Sequence, residues 1–337
     1  MKSFIHSFAR YLPPKVVTNN DLAKIMDTSD EWIQKRTGIS ERRFVEPPTT
    51  TSDLAVAASR KTLTQCGGIA PDAIIAATLS PDYDFPGIGV LVQQKLGLPH
   101  IPAFDIRNQC SGFLYAVELA AALTAQEKYS NILVVGAEVH STGLDLTTRG
   151  RDIAVLFGDG AGSCLVSSKK PPESSGPIFE VVDSELHSDG EFAKLLWCQH
   201  VGSAHFPVRI TKQLIEEALV FPSMDGRVVF EHAVKRMVEV SHSLLHKNHM
   251  TAEDIRLIIP HQANTRINSL VAKTLEIPEA RVMNTIERYG NTTAATIPIG
   301  FSHAVEEVQL FPGDKILSCA FGSGFTWGAM VFQVVSH

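Results

Sequence analysis

Residues 105 to 123 read DIRNQCSGFLYAVELAAAL, a stretch that sets one cysteine, Cys110, between a strand signal and a helix with almost no polar face. Ahead of it, Ile101 to Ile106 reads as a short buried strand. Behind it, Phe113 to Val117 with Leu119 and Ala120 form a helix apolar nearly all round, interrupted only by Glu118. Such a helix belongs in a protein interior, so its first-turn N–H groups point at Cys110 and carry roughly half a positive charge. That field favours thiolate over thiol. Lowering the usual cysteine pKa of about 8.5 by one or two takes roughly 1.4 to 2.7 kcal/mol, which a buried helix terminus and a nearby histidine can supply. Taken alone, the stretch favours the plainer reading of Cys110 as a small core hydrophobe, the commoner fate of cysteine.

Composition bounds what can surround it. With 337 residues, 44% of them hydrophobic and 20% charged, the chain has the make-up of a globular protein with one large core or two fused ones. A net charge of −6 argues against a general nucleic-acid or membrane-surface binder. The first residues, MKSFIHSFARYLPP, hold no long apolar segment, and no apolar run approaches the roughly eighteen residues of a membrane span, so a cytoplasmic location is expected. Five scattered cysteines with no CxxC pair fit reduced thiols better than a disulfide framework.

Around the cysteine, strands and helices alternate. Ser52 to Cys66 reads as a helix, Asp72 to Leu79 as a buried strand, Val90 to Leu96 as a helix and Asn131 to Ala137 as a central strand, a pattern of parallel strands covered on both faces. Nearer the N-terminus, Thr28-Ser29-Asp30 caps a short helix on which Trp32 and Arg36 share a face. An exposed aromatic beside an arginine suits a nucleotide-bearing ligand such as coenzyme A, although a surface helix with its tryptophan packed inward is the better reading without context. The glycines in Gly158-Asp159-Gly160-Ala161-Gly162 lie between two strand-like runs, DIAVLF and SCLVS, so they read as a tight turn and not as a phosphate loop.

KKPPESSG, Lys169 to Gly176, marks a boundary between an N-terminal half, residues 1–170, and a C-terminal half, residues 171–337. Beyond it the pattern repeats. The segment from Asp254, DIRLIIPHQANTRINSLVAKTLEIP, parallels the one from Asp72, and spacings of 37 and 38 residues make Asn291 the expected counterpart of Cys110. Lys315 to Val334 likewise echoes the Ile153 to Val166 region, so an internally duplicated α/β chain is expected. Leu186 to Gly226 has no counterpart and reads as a cap over a pocket, with a helix in ITKQLIEEALVF. Its His187, Asp189 and His200 lack any metal-ligand spacing, so no metal is expected.

Three polar residues then stand at the ends of buried strands: Cys110, His261 in IIPHQAN and Asn291 in RYGNTTAAT. The carboxyl ends of parallel strands are where such folds build sites. A thiolate can take an acyl group from a thioester, while imidazole and amide can hydrogen-bond a thioester carbonyl as it becomes an enolate. If the carbon nucleophile arises by loss of carbon dioxide, no carboxylate base is needed. Backbone N–H groups of Cys110 and of the Gly322-Ser323-Gly324 turn can hold the tetrahedral oxyanion.

On TSDEWIQKRTGI, the Cys110 segment, FGDGAG, PHQANTRI, YGNTTAAT and FGSGFTWG, in order across residues 28 to 330, the chain resembles the 3-oxoacyl-[acyl-carrier-protein] synthase III family of thiolase-superfamily condensing enzymes. The resemblance implies a five-layered αβαβα thiolase fold with duplicated halves, a homodimer, and a catalytic triad of Cys110, His261 and Asn291. It implies substrate contacts by Thr28, Trp32, Arg36, Arg151, Phe230 and Asn264, with Arg151 and not Arg149 at the family's spacing to FGDGAG. Phe85 would reach across the dimer into the acyl pocket, Phe321 would orient the decarboxylating substrate, and Arg266 and Lys273 would dock the acyl carrier protein. No cofactor is implied beyond coenzyme A thioesters as substrates. Departures from the family pattern are Arg227 in place of Asn, Glu231 in place of a docking Lys, Ser323 in place of Gly, and a long Leu186 to Gly226 region expected to reshape the acyl pocket for a longer or unusual primer.

The expected reaction is a decarboxylative Claisen condensation of an acyl-CoA primer with a malonyl thioester, as at the start of fatty acid synthesis. Alternatives are a superfamily relative that joins two acyl chains or makes a secondary metabolite, a Cys-His thioesterase, and a non-catalytic acyl-CoA binder. Asn291 speaks against hydrolysis, which needs activated water and not a stabilised enolate.

Overall fold

A computed structural model describes residues 2–171, 176–204 and 207–336, so part of the expected boundary segment, 172–175, lies outside the described residues. Nine strands form one mixed sheet: β1 (Ser3–Tyr11), β2 (Ala73–Ala77), β3 (Ala103–Ile106), β4 (Asn131–Glu138), β5 (Gly160–Ser167), β6 (Ile178–Ser188), β7 (Ile255–Pro260), β8 (Lys315–Gly322) and β9 (Thr326–Ser336). Their order is β7-β8-β9-β6-β1-β5-β4-β2-β3. Read from the outer edge inward, the N-terminal five run 3-2-4-5-1, with β5 antiparallel to its neighbours. The C-terminal strands repeat this order, the third strand shrinking to a single bridge between Ile258 and Val282. β1 and β6 join the two sets, with Phe4 opposite Glu180.

Helix burial explains the layering. α1 (Asp30–Thr37), α2 (Thr51–Gln65), α3 (Ile88–Leu96), α4 (Gly112–Ala125), α5 (Gly226–Lys247), α6 (Thr265–Thr274) and α7 (Thr296–Glu307) are the main helices. α4 and α7 lie in the middle, where Phe113, Leu114, Val117, Ile297 and Phe301 share one core with Ile75, Ile132, Ile259 and Ile316 from both strand sets. α2 and α3 cover the outer face of the first set, and α5 and α6 that of the second. The apolar sequence of α4 is thus the sequence of a helix walled by sheet on both sides.

Several expectations are corrected. β3 is an edge strand with Phe104 and Asp105 exposed, because nothing pairs beyond it among the described residues. Asp152 to Phe157 is not a strand: Arg151–Ala154 is one helical turn, and Gly160 and Gly162 already lie inside β5. Gly158, just ahead of β5, and Gly136 in β4 answer to close packing. A Cβ on Gly158 would stand 2.2 Å from the Tyr289 carbonyl and one on Gly136 2.4 Å from that of Ala294. The partner of β8 in the first set is therefore β4, not the Ile153 region. ITKQLIEEALVF yields only a five-residue helix, Lys212–Glu216.

Candidate active site

Cys110 sits in a turn of 3-10 helix, Gln109–Ser111, that runs straight into α4, and Thr293–Ala295 runs in the same way into α7. The two turns match in backbone detail. Gln109 (φ 45°) and Thr293 (φ 49°) both take the left-handed conformation, so Cys110 corresponds to Ala294, and Asn291 lies three residues ahead of its expected register. Cys110 is buried, and β8 ends against it: a Cβ on Gly322 would fall 2.9 Å from the Cys110 nitrogen. That approach brings the Gly322-Ser323-Gly324 turn to the backbone of the cysteine.

His261 follows β7 and donates its N–H to the Cys319 carbonyl of β8 at 2.8 Å. Its Nδ1 lies 2.8 Å from Thr296 Oγ1 at the start of α7, and its buried Nε2 has no hydrogen-bond partner among the described residues. Asn291 is pinned between elements, its N–H on the Leu156 carbonyl (2.8 Å) and its Oδ1 accepting from Thr293 N–H (2.8 Å). The Thr293–Ala295 turn packs on the Cys110 turn, and Gly112 faces Ala294 with a Cβ-to-Cβ distance of 3.8 Å for an added methyl.

Electrostatics at the cysteine overturn the expected activation. Burial, with the nearby Glu138 carboxyl second, pushes the Cys110 thiol up to about 12, and its own backbone N–H lowers it too little to compensate. Desolvation outweighs that N–H. Glu138 itself is buried and raised to about 7, also by burial, against hydrogen bonds from Ser80, Leu79, Thr78 and Ala294. Burial likewise lowers His261 to about 3, so its imidazole is neutral. Sequence reasoning missed Glu138 and Thr296, since a lone acidic residue at a strand end and a threonine in an apolar helix carry no spacing signal.

A cavity of about 930 Å³ comes near this cluster at Leu156, with none of Cys110, His261 and Asn291 on its lining. Trp32, Arg36, Phe230, Asn264 and Arg266 line it, as does Leu156, whose carbonyl holds Asn291. Gln199, Leu219, Phe221, Pro222 and Met224 of the 186–226 region form another wall. Arg36 and Arg151 lie over the Trp32 ring at 4.2 and 5.2 Å.

Residues 104–190 match the model of the family 3-oxoacyl-[acyl-carrier-protein (ACP)] synthase III, and residues 245–334 match the model of its C-terminal part. Beta-ketoacyl-[acyl-carrier-protein] synthase III of Oleidesulfovibrio alaskensis is 39% identical over 335 residues, 98% of this chain and 99% of the relative. The chain belongs to the 3-oxoacyl-[acyl-carrier-protein] synthase III family. The Helicobacter pylori relative of the same name is 39% identical over 329 residues, 96% of each chain. The crystal structure of the Aquifex aeolicus synthase III superposes with a TM-score of 0.86 at 37% identity, covering 98% of this chain and 99% of that one. This synthase III is thus a condensing acyltransferase with the thiolase-like fold.

The other expected site residues of the synthase fall at three places. Around the cavity mouth, Asn264 caps α6 and donates to the Arg36 carbonyl (2.9 Å), while Arg266 lies 5.5 Å over the Phe230 ring. Thr28 Oγ1 is buried with no partner among the described residues, and Arg151, bonded to the Asp27 carbonyl, stands behind the tryptophan and not on the lining. Arg149 takes the lining position, held by Asp145 at 2.7 Å. Phe321 is buried near the glycine turn, its ring 4.7 Å from Phe325. Phe85, 83% exposed, and Lys273, exposed at the end of α6, stand apart from the cavity. Arg227 pairs with Glu231 at 3.0 Å on the cavity rim, so the two departures from the family pattern neutralise each other.

Proposed function

We infer that the synthase condenses an acyl-CoA primer with malonyl-acyl carrier protein, through acyl-Cys110, to give a 3-oxoacyl thioester that starts fatty acid synthesis. Cys110 Sγ attacks the primer thioester, the carbon–sulfur bond to coenzyme A breaks, and the thiol proton ends on the coenzyme A sulfur. Malonyl thioester then loses carbon dioxide. The electron pair of that bond becomes an enolate, whose oxygen accepts hydrogen bonds from His261 Nε2 and the Asn291 amide nitrogen. The enolate carbon attacks acyl-Cys110, the cysteine sulfur leaves and takes up a proton, and the backbone N–H groups of Cys110 and Ser323 hold the oxyanion between. No metal or prosthetic group enters these steps.

What carries the assignment is the meeting of three elements at one buried point: the cysteine turn, the His261 strand end and the Asn291 turn, all in reach of the β8 glycine turn. Trp32, Arg36, Phe230 and Asn264 on the lining suit the nucleotide and pantetheine of the thioester, with Arg151 over the Trp32 ring and Thr28 assigned there by the family resemblance alone, and Arg266 with Lys273 suits the acidic carrier protein. The apolar wall from 186–226 supports a primer longer than acetyl. Division into halves near residue 170 is supported by the repeated strand order. Exposed Phe85, Tyr83 and Phe104 around the unpaired β3 edge support a homodimer in which Phe85 enters the partner's pocket. Among the described residues no helix is long and apolar enough to cross a membrane, in keeping with a cytoplasmic place.

Labelled acyl-CoA tests the division of labour. Cys110→Ser should abolish acyl transfer, while His261→Ala and Asn291→Ala should still load label yet lose decarboxylation by about 10² to 10³. Normal condensation by Asn291→Ala would remove its role, and free acid as the product would establish hydrolysis instead.

A further inference from the structure

Arg42, on the short strand Glu41–Phe44, is 0% exposed, and each of its hydrogen bonds among the described residues goes to a neutral oxygen. Its Nη1 donates to the Val17 carbonyl (3.3 Å) and to Asn19 Oδ1 (2.8 Å), and its Nη2 to the Val155 carbonyl (2.9 Å). Its Nε is buried with no partner among the described residues. Burial pulls its pKa down to about 10, so it remains a cation at neutral pH. A buried charge with no carboxylate on it is costly, and an apolar side chain of similar length would fill the space without that cost. What only the guanidinium supplies is a planar fork that can hold acceptors on separate segments.

Two of its acceptors form an anchor. Val17 stands opposite Arg42 where Lys15–Thr18 pairs with Glu41–Phe44, and Asn19 is itself fixed, its amide nitrogen donating to Asp30 Oδ1 (2.8 Å) and to the Ile39 carbonyl (2.6 Å). The third acceptor lies on the segment that carries Asn291. Leu156, next after Val155, accepts the Asn291 N–H at 2.8 Å, and Gly158 donates to the Asn291 carbonyl at 3.1 Å, so the two bonds flank the bridge of Phe157 with Asn291. The stem of Arg42 lies against both partners of this pairing: a Cβ on Gly158 would stand 3.1 Å, and one on Gly290 3.4 Å, from the Arg42 Cβ.

We propose that Arg42 is a positioning residue: anchored on Val17 and Asn19, its guanidinium holds the Val155 carbonyl and so fixes the 155–158 segment against which the main chain of Asn291 is set, placing that residue for the decarboxylation step. The inference rests on the role given to Asn291 above.

Two variants separate positioning from packing. Arg42→Met keeps the length of the stem and removes every donor, and Arg42→Lys keeps the charge without the fork. In Arg42→Met, carbon dioxide release from malonyl thioester should fall roughly 10-fold to 100-fold while loading of labelled acyl-CoA changes less than about twofold. Arg42→Lys should show the same split with a smaller loss. Equal losses in both steps would mark a merely structural arginine and overturn the proposal. In an Asn291→Ala background Arg42→Met should cost nothing further, because the residue through which it acts is gone; losses that multiply would also overturn it. Hydrogen exchange gives a readout independent of the reaction: the Asn291 and Gly158 amides should exchange about tenfold faster in Arg42→Met, while those of α4 stay as in the wild type. Unchanged exchange at Asn291 would overturn the proposal even if activity fell. If Arg42→Met does not fold, Arg42→Lys decides by the same readouts. Should Asn291→Ala decarboxylate normally while exchange at Asn291 still quickens in Arg42→Met, the reaction would be refuted, and not the hold of Arg42 on Asn291.

Discussion

At the scale of single residues, burial and the helix terminus compete for the proton of Cys110. The terminus offers about half a charge, spread over N–H groups of one short turn, whereas burial penalises the thiolate itself. Burial wins, and the resting nucleophile is a thiol. Its reactivity therefore waits for the thioester. The measurable consequence is the pH profile of alkylation by iodoacetamide in the free enzyme. Only the thiolate reacts, and with the pKa raised to about 12 its fraction grows about tenfold per pH unit across the range from 7 to 10, so the Cys110 rate should climb steadily. A plateau below pH 8 would mean that the terminus prevails after all.

At the scale of elements, the 186–226 region is fastened to the glycine turn after β8 by Ser323. Ser323 Oγ donates to the Leu196 carbonyl, Asp189 and Phe325 exchange two backbone hydrogen bonds at 2.8 and 2.6 Å, and the Phe192 ring stacks on Phe325 at 5.4 Å. Ser323→Ala leaves a carbonyl without that donor and should weaken the attachment by about 1 kcal/mol. Hydrogen exchange at Leu196 to Cys198 should quicken roughly fivefold, and the preference among acyl-CoA primers should shift while condensation persists. Unchanged exchange would leave the region standing on its other contacts.

Elements also divide what the sequence could tell from what it could not. α4 was legible because both its faces are buried, and β2, β4 and β7 because parallel strands under helices are apolar throughout. His261 does follow a strand end, whereas Asn291 comes after the helical turn Ile286–Tyr289 and not after the expected strand. β6 went unread because most of it is half-buried, and the 22-residue α5 because its polar face dilutes its apolar one. Asn291 was assigned as Cys110's partner by counting, whereas the real match, Ala294, depends on a left-handed residue that no periodicity reports. The fate of the cysteine proton was illegible for another reason: it depends first on burial and second on Glu138, brought in by the fold from 28 residues away.

At the scale of the whole molecule, the sheet ends at β7, with its single bridge to Val282, on one side and at β3 on the other. β3 pairs with β2 alone among the described residues, and Phe104, Tyr83, Phe85 and Val90 expose apolar surface around it. An open edge with such a surface is a template for a second copy. Light scattering should find a dimer for the wild type and a monomer for Phe104→Lys, with loss of condensation if Phe85 serves the partner's pocket. A dimeric Phe104→Lys would place the interface elsewhere.

Where Gly136 meets Ala294, main chain rests on main chain with no space for even a methyl group. Descendants of this chain can trade residues freely around the cavity mouth and so acquire new appetites. Along that line of touching backbones they can trade nothing without prying Cys110 away from its companions. Novelty in this enzyme must come from the rim, because the keystone admits no recutting.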